Sequence, residues 1–480
     1  MLDQQFGKVI NLFKTDARLL IFLLAISFVS VYFMPSLVNR LVFLLILFTA
    51  WRTRFDYVYF VWFLIITDAP GRLFSAGTAD AAMRIPLYTL AGGLSLSFQD
   101  LFIILFILKY LTSNKDTYFF LKIEFQLFLI VLALYLVYSL FLGVGYNEFV
   151  RISRILLPWS FIFIIPAYIQ DREIMIRASR LLFPVVFVAF TSQVYTFITG
   201  NYWDYHLRGE EFRSLLAIDA GRGVSRSYSA VYIIFICTIQ ALYYLFEKNK
   251  NEFSKNYLSA VIFISTLSIL LTATRGWIIA YSILLIGVLV IFGASRDISK
   301  LLRMGLTAIV LFLILTTQLP FLKTQMEMVF ERLTTLERLI EGDVTAGGTL
   351  GRIDQRGSRV LSQFKESPVL GWGFSKNYFE YVDTHVGHHT ILLNTGIIGY
   401  AYLNLLFFYI LFKILQLNSI AGQQNNRAIW IYIFAMLSVY VIHSSSTVFW
   451  GFHIATNNIM VIALILTAVN TVYMPNINNK

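Results

Sequence analysis

The chain has very little charge and almost no cysteine: 14% of its 480 residues are Asp, Glu, Lys or Arg, and Cys237 is the one cysteine. Soluble proteins average about 25% charged residues, so a water-soluble globule is excluded. A single thiol inside an apolar run cannot form an intrachain disulfide and reads as a packing residue. No G-x-x-x-x-G-K-[ST] loop is present, which excludes a P-loop nucleotide site. Acidic residues are nearly missing from the apolar runs, with Asp100 and Glu124 close to run ends. Proton- and sodium-coupled transporters commonly place carboxylates there. The net charge of +11 comes as short clusters between apolar runs, without the basic stripe of a nucleic-acid binder. Internal repeats and low-complexity stretches are also absent.

What remains is apolar: 58% hydrophobic and 16% aromatic residues. Runs approaching the length of a membrane-crossing helix, about 20 residues, fall near 19–34, 37–51, 55–67, 97–111, 124–142, 153–169, 181–199, 228–246, 256–273, 276–293, 303–319, 391–412, 428–443 and 452–473. The second and third are short enough to be a re-entrant pair. The expectation is an all-α polytopic integral membrane protein with 12 to 14 transmembrane helices. Lys8, Lys14 and Arg18 before the first run resemble a signal peptide, but no small-residue cleavage site follows Met34, so it reads as an uncleaved span.

Short connections on one side of this arrangement carry most of the Lys and Arg; those on the other side carry Arg40, Arg151, Arg154 and Arg275. That asymmetry puts both termini in the cytoplasm. The chain then divides into a membrane domain over 1–319, a large outer loop over 320–390 and C-terminal membrane helices over 391–480. Within the loop, Met326, Val329, Phe330, Leu333, Leu336 and Ile340 recur at helical spacing, as in an amphipathic helix on the membrane or on neighbouring loops. No cytoplasmic connection is long enough for a nucleotide-binding domain. A donor used outside must therefore arrive already activated, on a lipid.

Polar chemistry concentrates between Thr349 and Tyr400. Arg352, Arg356 and Arg359 stand at helical spacings of four and three, so they share a pyrophosphate or face water. Arg275, wedged between two apolar runs, either clamps phosphate with its planar fork of donors or snorkels to headgroups. Arg222, between two glycines in the 200–227 loop with Arg208, Arg213 and Arg226, is a weaker candidate. His385, His388 and His389 precede a span, and imidazole is the side chain that accepts a proton near neutral pH. Their spacing also suits zinc, but no H-E-x-x-H or neighbouring cysteine completes a ligand set. His443 and His453 flank the last outer turn as packing or hydrogen-bonding residues.

Three stretches together resemble the O-antigen ligase and O-antigen polymerase family of bacterial envelope enzymes. Thr272-Ala273-Thr274-Arg275-Gly276 is similar to its Ser/Thr-Arg-Gly motif. Arg352 followed by Pro368-Val369-Leu370-Gly371-Trp372-Gly373 is similar to its arginine and Pro-x-x-Gly-x-Gly turn. His385 before Gly396-Ile397-Ile398-Gly399 is similar to its histidine ahead of a Gly-x-x-Gly. Val386 departs from the Asn or Ser that often follows the family's histidine, so His388 and His389 stay open as the counterpart. Arg222 matches by loop position only.

The resemblance implies a membrane glycosyltransferase in the bacterial inner membrane, acting on the periplasmic side in lipopolysaccharide or polysaccharide biosynthesis. It would move a saccharide from undecaprenyl pyrophosphate to lipid A core or to another lipid-linked repeat unit. The base would be among His385, His388 and His389. Arg275, Arg352, Arg222 and Arg356 would hold the pyrophosphate, with neither metal nor cofactor. A polysaccharide flippase or exporter is the alternative; it should show two similar halves and polar residues lining a cavity within the spans.

Overall fold

The computed structural model describes residues 2–68, 87–89, 95–113, 119–199, 218–219, 224–225, 230–247, 252–272, 274–293, 353–383, 385–420, 426–445 and 448–477, with isolated positions between 295 and 334. Described side chains begin at Thr15, and the side chain of Arg275 is among those not described. The expected surface helix over 326–340, the expected span over 303–319 and the arginines at 208–226 lie outside the described residues.

The protein is mostly helical, as uninterrupted apolar sequence dictates where every backbone polar group must be satisfied within its own segment. The first eight helices are α1 (Leu2–Phe33), α2 (Ser36–Arg52), α3 (Asp56–Asp68), α4 (Phe98–Thr112), α5 (Lys122–Phe141), α6 (Tyr146–Ser153), α7 (Leu156–Trp159) and α8 (Phe161–Tyr168). Next come α9 (Arg172–Thr199), α10 (Val231–Phe246), α11 (Lys255–Leu271) and α12 (Arg275–Phe292). The C-terminal part has α13 (Ser358–Phe364), α14 (Lys376–Tyr381), α15 (Gly387–Ile420), α16 (Asn426–Ser445) and α17 (Thr456–Ile477). Two short antiparallel ribbons, Leu87–Thr89 with Ser95–Ser97 and Ile218–Asp219 with Val224–Ser225, are the strands among the described residues.

Among the described residues, seven stretches are long and apolar enough to cross a membrane: Thr15–Phe33, Lys122–Phe141, Tyr146–Tyr168, Arg172–Tyr195, Gly387–Leu417, Arg427–Ser444 and Thr456–Tyr473. Three shorter apolar helices, Val231–Phe246, Lys255–Leu271 and Gly276–Phe292, accompany them. The expected spans near 37–51, 55–67 and 97–111 form α2, α3 and α4, of 17, 13 and 15 residues.

Local signals set the boundaries. Pro35, which cannot donate a backbone hydrogen bond, separates α1 from α2. Ser97 and Asp100 form a capping box at the start of α4, and Asp100 also pairs with Arg154. Asp68 closes α3 and caps α10 from outside, its Oδ2 accepting from the Ile233 amide at 2.8 Å while its carbonyl accepts from Ala230.

One end of the bundle is knitted by ion pairs. Arg177 holds Asp16 in a two-pronged bond at 2.9 Å, Arg172 holds Glu247 at 2.7 Å, and Lys109 pairs with Asp56. The described histidines of the 385–389 stretch, with Arg356, gather at the opposite end.

Candidate active site

The two glycine motifs dock into each other. α15 is broken at Gly396, where φ is 64° and ψ −170°, a backbone conformation natural only to glycine. The 368–373 turn fills the break. Trp372 and Gly373 donate their amides to the carbonyls of Leu393 and Asn394, at 2.8 and 2.9 Å. Across the break, the amides of Ile397 and Ile398 donate to the carbonyls of Pro368 and Val369, at 2.9 and 3.2 Å. From α5, Tyr135 donates to Thr395 O at 2.7 Å, and Ser139 Oγ accepts from the Phe374 amide at 2.7 Å. The backbone groups freed by unwinding are thus satisfied from the loop and from α5.

The break redirects the chain. Residues twelve apart in a continuous helix are separated by roughly 18 Å along its axis. Yet the hydroxyl of Tyr400 lies 3.2 Å from His388 Nδ1. The piece before Gly396 therefore folds back over the start of the piece after it. The later piece, from 397 to 417, is itself about 30 Å long, enough to cross a bilayer. The three histidines sit at the tip of the fold-back.

Asp383 ties the loop to that tip. Its Oδ1 accepts from the His385 amide at 2.9 Å and lies 3.7 Å from the guanidinium of Arg356. Thr390 fastens the segment from the first turns of α15 by donating to Asp383 O at 2.6 Å. Arg359, one turn after Arg356, lies over the ring of Tyr381 at 6.0 Å. Both described arginines of the expected stripe thus point at the 381–383 strip, and the expected face does put them together. The turn before α13 is wider than an α-turn over Ile353–Gly357. Arg352 and Arg222 lie outside the described residues.

The histidines divide. His385 is exposed on the loop. His388 is half-buried, with Nε2 at 2.8 Å from Ser444 Oγ. His389 is half-buried beside it. His443 is fully enclosed: its Nδ1 accepts the amides of Phe449 and Trp450 at 3.2 and 3.4 Å, and its ring stands 4.7 Å from that of His388. Gly387 makes this approach possible, since a Cβ there would fall within 3.0 Å of the His443 ring. His453 bonds the Tyr378 hydroxyl at 3.1 Å, and burial among neighbouring rings lowers its pKa.

Arg275 opens α12, and Trp277 in the same first turn packs edge-on against Tyr232 at 5.6 Å and Phe449 at 6.3 Å. Through Phe449 the N-terminus of α12 reaches the His443 and His388 pair. Sequence reasoning missed Asp383, Tyr400 and Ser444. Asp383 carried a signal, an Asp two residues before His385 at a helix entry, which is a side-chain turn pattern. Tyr400 and Ser444 carried none, because their contacts exist only once α15 folds back.

The arrangement offers a guanidinium, a carboxylate and an imidazole-bearing loop within a few ångströms, next to a helix opened by a second arginine. Such a set can hold an anion and move a proton. The chain matches no curated protein. Residues 260–403 match the family model described as O-antigen ligase. That match runs from α11 through the α15 break, taking in Arg275, Arg356, Asp383 and His385 to His389, so the segment that builds most of the site is similar to the O-antigen ligase family.

Proposed function

We propose that the protein is a membrane glycosyltransferase of the O-antigen ligase or polymerase type. It transfers a saccharide from undecaprenyl pyrophosphate to a saccharide acceptor, lipid A core or another lipid-linked repeat, on the periplasmic side of the bacterial inner membrane. The observation that carries this reading is Asp383 binding both the Arg356 guanidinium and the His385 backbone. It joins a phosphate-binding group to a proton-accepting one at the bundle end that also holds the start of α12.

In this reading the acceptor hydroxyl attacks the anomeric carbon while His385 takes its proton, which activates a poor nucleophile. The bond from the anomeric carbon to the pyrophosphate oxygen breaks, and its electrons leave on the lipid pyrophosphate. Arg356 and Arg275, with Arg352 and Arg222, stabilise that charge where water is scarce. Arginine can neutralise a diphosphate without a divalent metal, so none is required. Asp383 orients rather than reacts: Arg356 and the His385 turn are fixed through it. The distribution of Lys and Arg supports cytoplasmic termini and a periplasmic site.

Glycan analysis tests the reading. A deletion strain would be complemented with wild type, Arg275→Ala, Arg356→Ala or His385→Ala, with membrane levels checked. Loss of surface polysaccharide with precursor accumulating outside is expected. Long chains left on the carrier would identify a ligase, and single repeat units a polymerase. Precursor trapped inside would favour the exporter, and full activity in every variant would remove the assignment.

A further inference from the structure

His388 is half-buried and both its ring nitrogens are engaged, and counting hydrogens around it decides what it can do. Ser444 donates its one hydroxyl proton to Tyr440 O at 3.0 Å. With the hydroxyl proton so placed, its oxygen, 2.8 Å from His388 Nε2, is the acceptor there. The imidazole proton therefore sits on Nε2, and the bare Nδ1 accepts from the Tyr400 hydroxyl at 3.2 Å. Tyr400 is placed in turn: its carbonyl accepts from Asn404 Nδ2 at 2.7 Å, and Asn404 Oδ1 accepts from Tyr440. His443 backs the ring at 4.7 Å, with its own Nδ1 filled by two backbone amides. Among the described residues, the titratable side chains around His388 are His389 on its own helix, Tyr400 beyond the break, and Tyr440 and His443 from α16.

A base needs a free lone pair facing the acceptor, and the lone pair of His388 faces Tyr400. What it presents toward Ser444, an exposed residue at the outer end of α16, is an N–H. We propose that His388 is a neutral hydrogen-bond donor to a sugar oxygen of the glycan, whose place Ser444 Oγ holds in this structure, and that Tyr400 is the positioning residue that fixes its tautomer. This inference rests on the glycosyl-transfer reading, and it assigns His388 to saccharide binding while leaving the proton to His385.

The test uses the purified full-length protein in lipid nanodiscs. The donor is undecaprenyl-pyrophosphate-linked glycan extracted from a strain lacking the protein, and KM and kcat are measured from pH 5.5 to pH 9. Glutamine can place an N–H near the imidazole Nε2 position but cannot serve as a base near neutral pH. His388→Gln should therefore keep kcat within about threefold, raise KM several-fold, and leave the acidic limb of the pH profile where it was. A proton-accepting residue contributes roughly a hundredfold or more. A hundredfold loss of kcat in His388→Gln, with unchanged membrane level and melting temperature, would overturn the assignment. Tyr400→Phe supplies the second variant: raised KM with an unmoved pH profile is expected, and unchanged KM would count against the positioning role. If Arg356→Ala and His385→Gln both retain wild-type transfer, the underlying glycosyl-transfer site has failed instead, a separate outcome.

Discussion

Gly371 and Gly396 stand back to back with no room for a side chain on either. A Cβ on Gly371 would fall within 3.0 Å of the Gly396 amide nitrogen, and one on Gly396 within 3.0 Å of the Gly371 amide nitrogen. Both backbones are left-handed, at φ 69° and 64°. Two motifs 25 residues apart in the chain are therefore one structural joint.

Replacing either glycine by alanine should destabilise the protein. The left-handed backbone alone costs about 1–2 kcal/mol in a residue with a Cβ, and the steric clash adds to it. Gly145, with open space around it and ordinary extended backbone, is the control. Thermal unfolding in detergent should show lowered melting temperatures for Gly371→Ala and Gly396→Ala and little change for Gly145→Ala. Equal melting temperatures for all three would contradict the joint.

Arg177 and Asp16 supply a second measurement, far from the site. The Asp16 side chain is fully buried against a guanidinium that is 16% exposed. Removing the arginine leaves a buried carboxylate unpaired, at a cost of about 3–5 kcal/mol. Arg177→Met should lower the melting temperature strongly, and Asp16→Leu added to it should restore much of the loss. A double variant no more stable than Arg177→Met alone would show that the pairing is not what matters.

Asp383 separates an orienting role from a reacting one. Asp383→Asn keeps an acceptor oxygen for the His385 amide but removes the charge facing Arg356. Transfer should fall about tenfold, corresponding to roughly 1.4 kcal/mol, while the pH profile keeps its shape. A profile displaced by a full pH unit would instead make Asp383 a proton-transfer group.

His453 gives a pH dependence of stability. Its Nδ1 bonds the Tyr378 hydroxyl at 3.1 Å, and burial raises the pKa of that phenol, so the phenol stays neutral. Part of His453 is open to the outside, yet burial among Phe374, Tyr378 and Phe379 lowers its pKa from 6.5. The unfolded chain takes up a proton near pH 6.5 that the folded chain resists. The contribution is therefore complete above about pH 7 and declines as pH falls below 6.5. Melting temperature should drop between about pH 7.5 and 5.5, and drop less in His453→Gln. Parallel curves for the two proteins would count against this account.

The sequence announces the helices, because long apolar runs have one stable form in a bilayer. It marks out the polar stretch as well, since Arg356, His385 and the glycines at 371, 373 and 396 stand out from apolar surroundings. Their geometry is less legible. Helical spacing correctly puts Arg356 and Arg359 on one side, but nothing in it says that both turn toward Tyr381 and Asp383. The three histidines look equivalent at spacings of three and four. They separate only when α15 folds back at Gly396 and brings Tyr400 onto His388. A lone glycine in an apolar run gives weak notice of so sharp a turn, because glycine is common in membrane helices.

The joint between turn and helix also orders the protein's own synthesis. The amides of Trp372 and Gly373 are made before the carbonyls of Leu393 and Asn394 that they will bind. While the ribosome is still producing that helix, the turn can be held only by α5, through Ser139 and Tyr138. Once joined, the turn and both pieces of the helix open together or not at all. Hydrogen exchange at Trp372, Gly373, Ile397 and Ile398 should therefore proceed as a single cooperative unit.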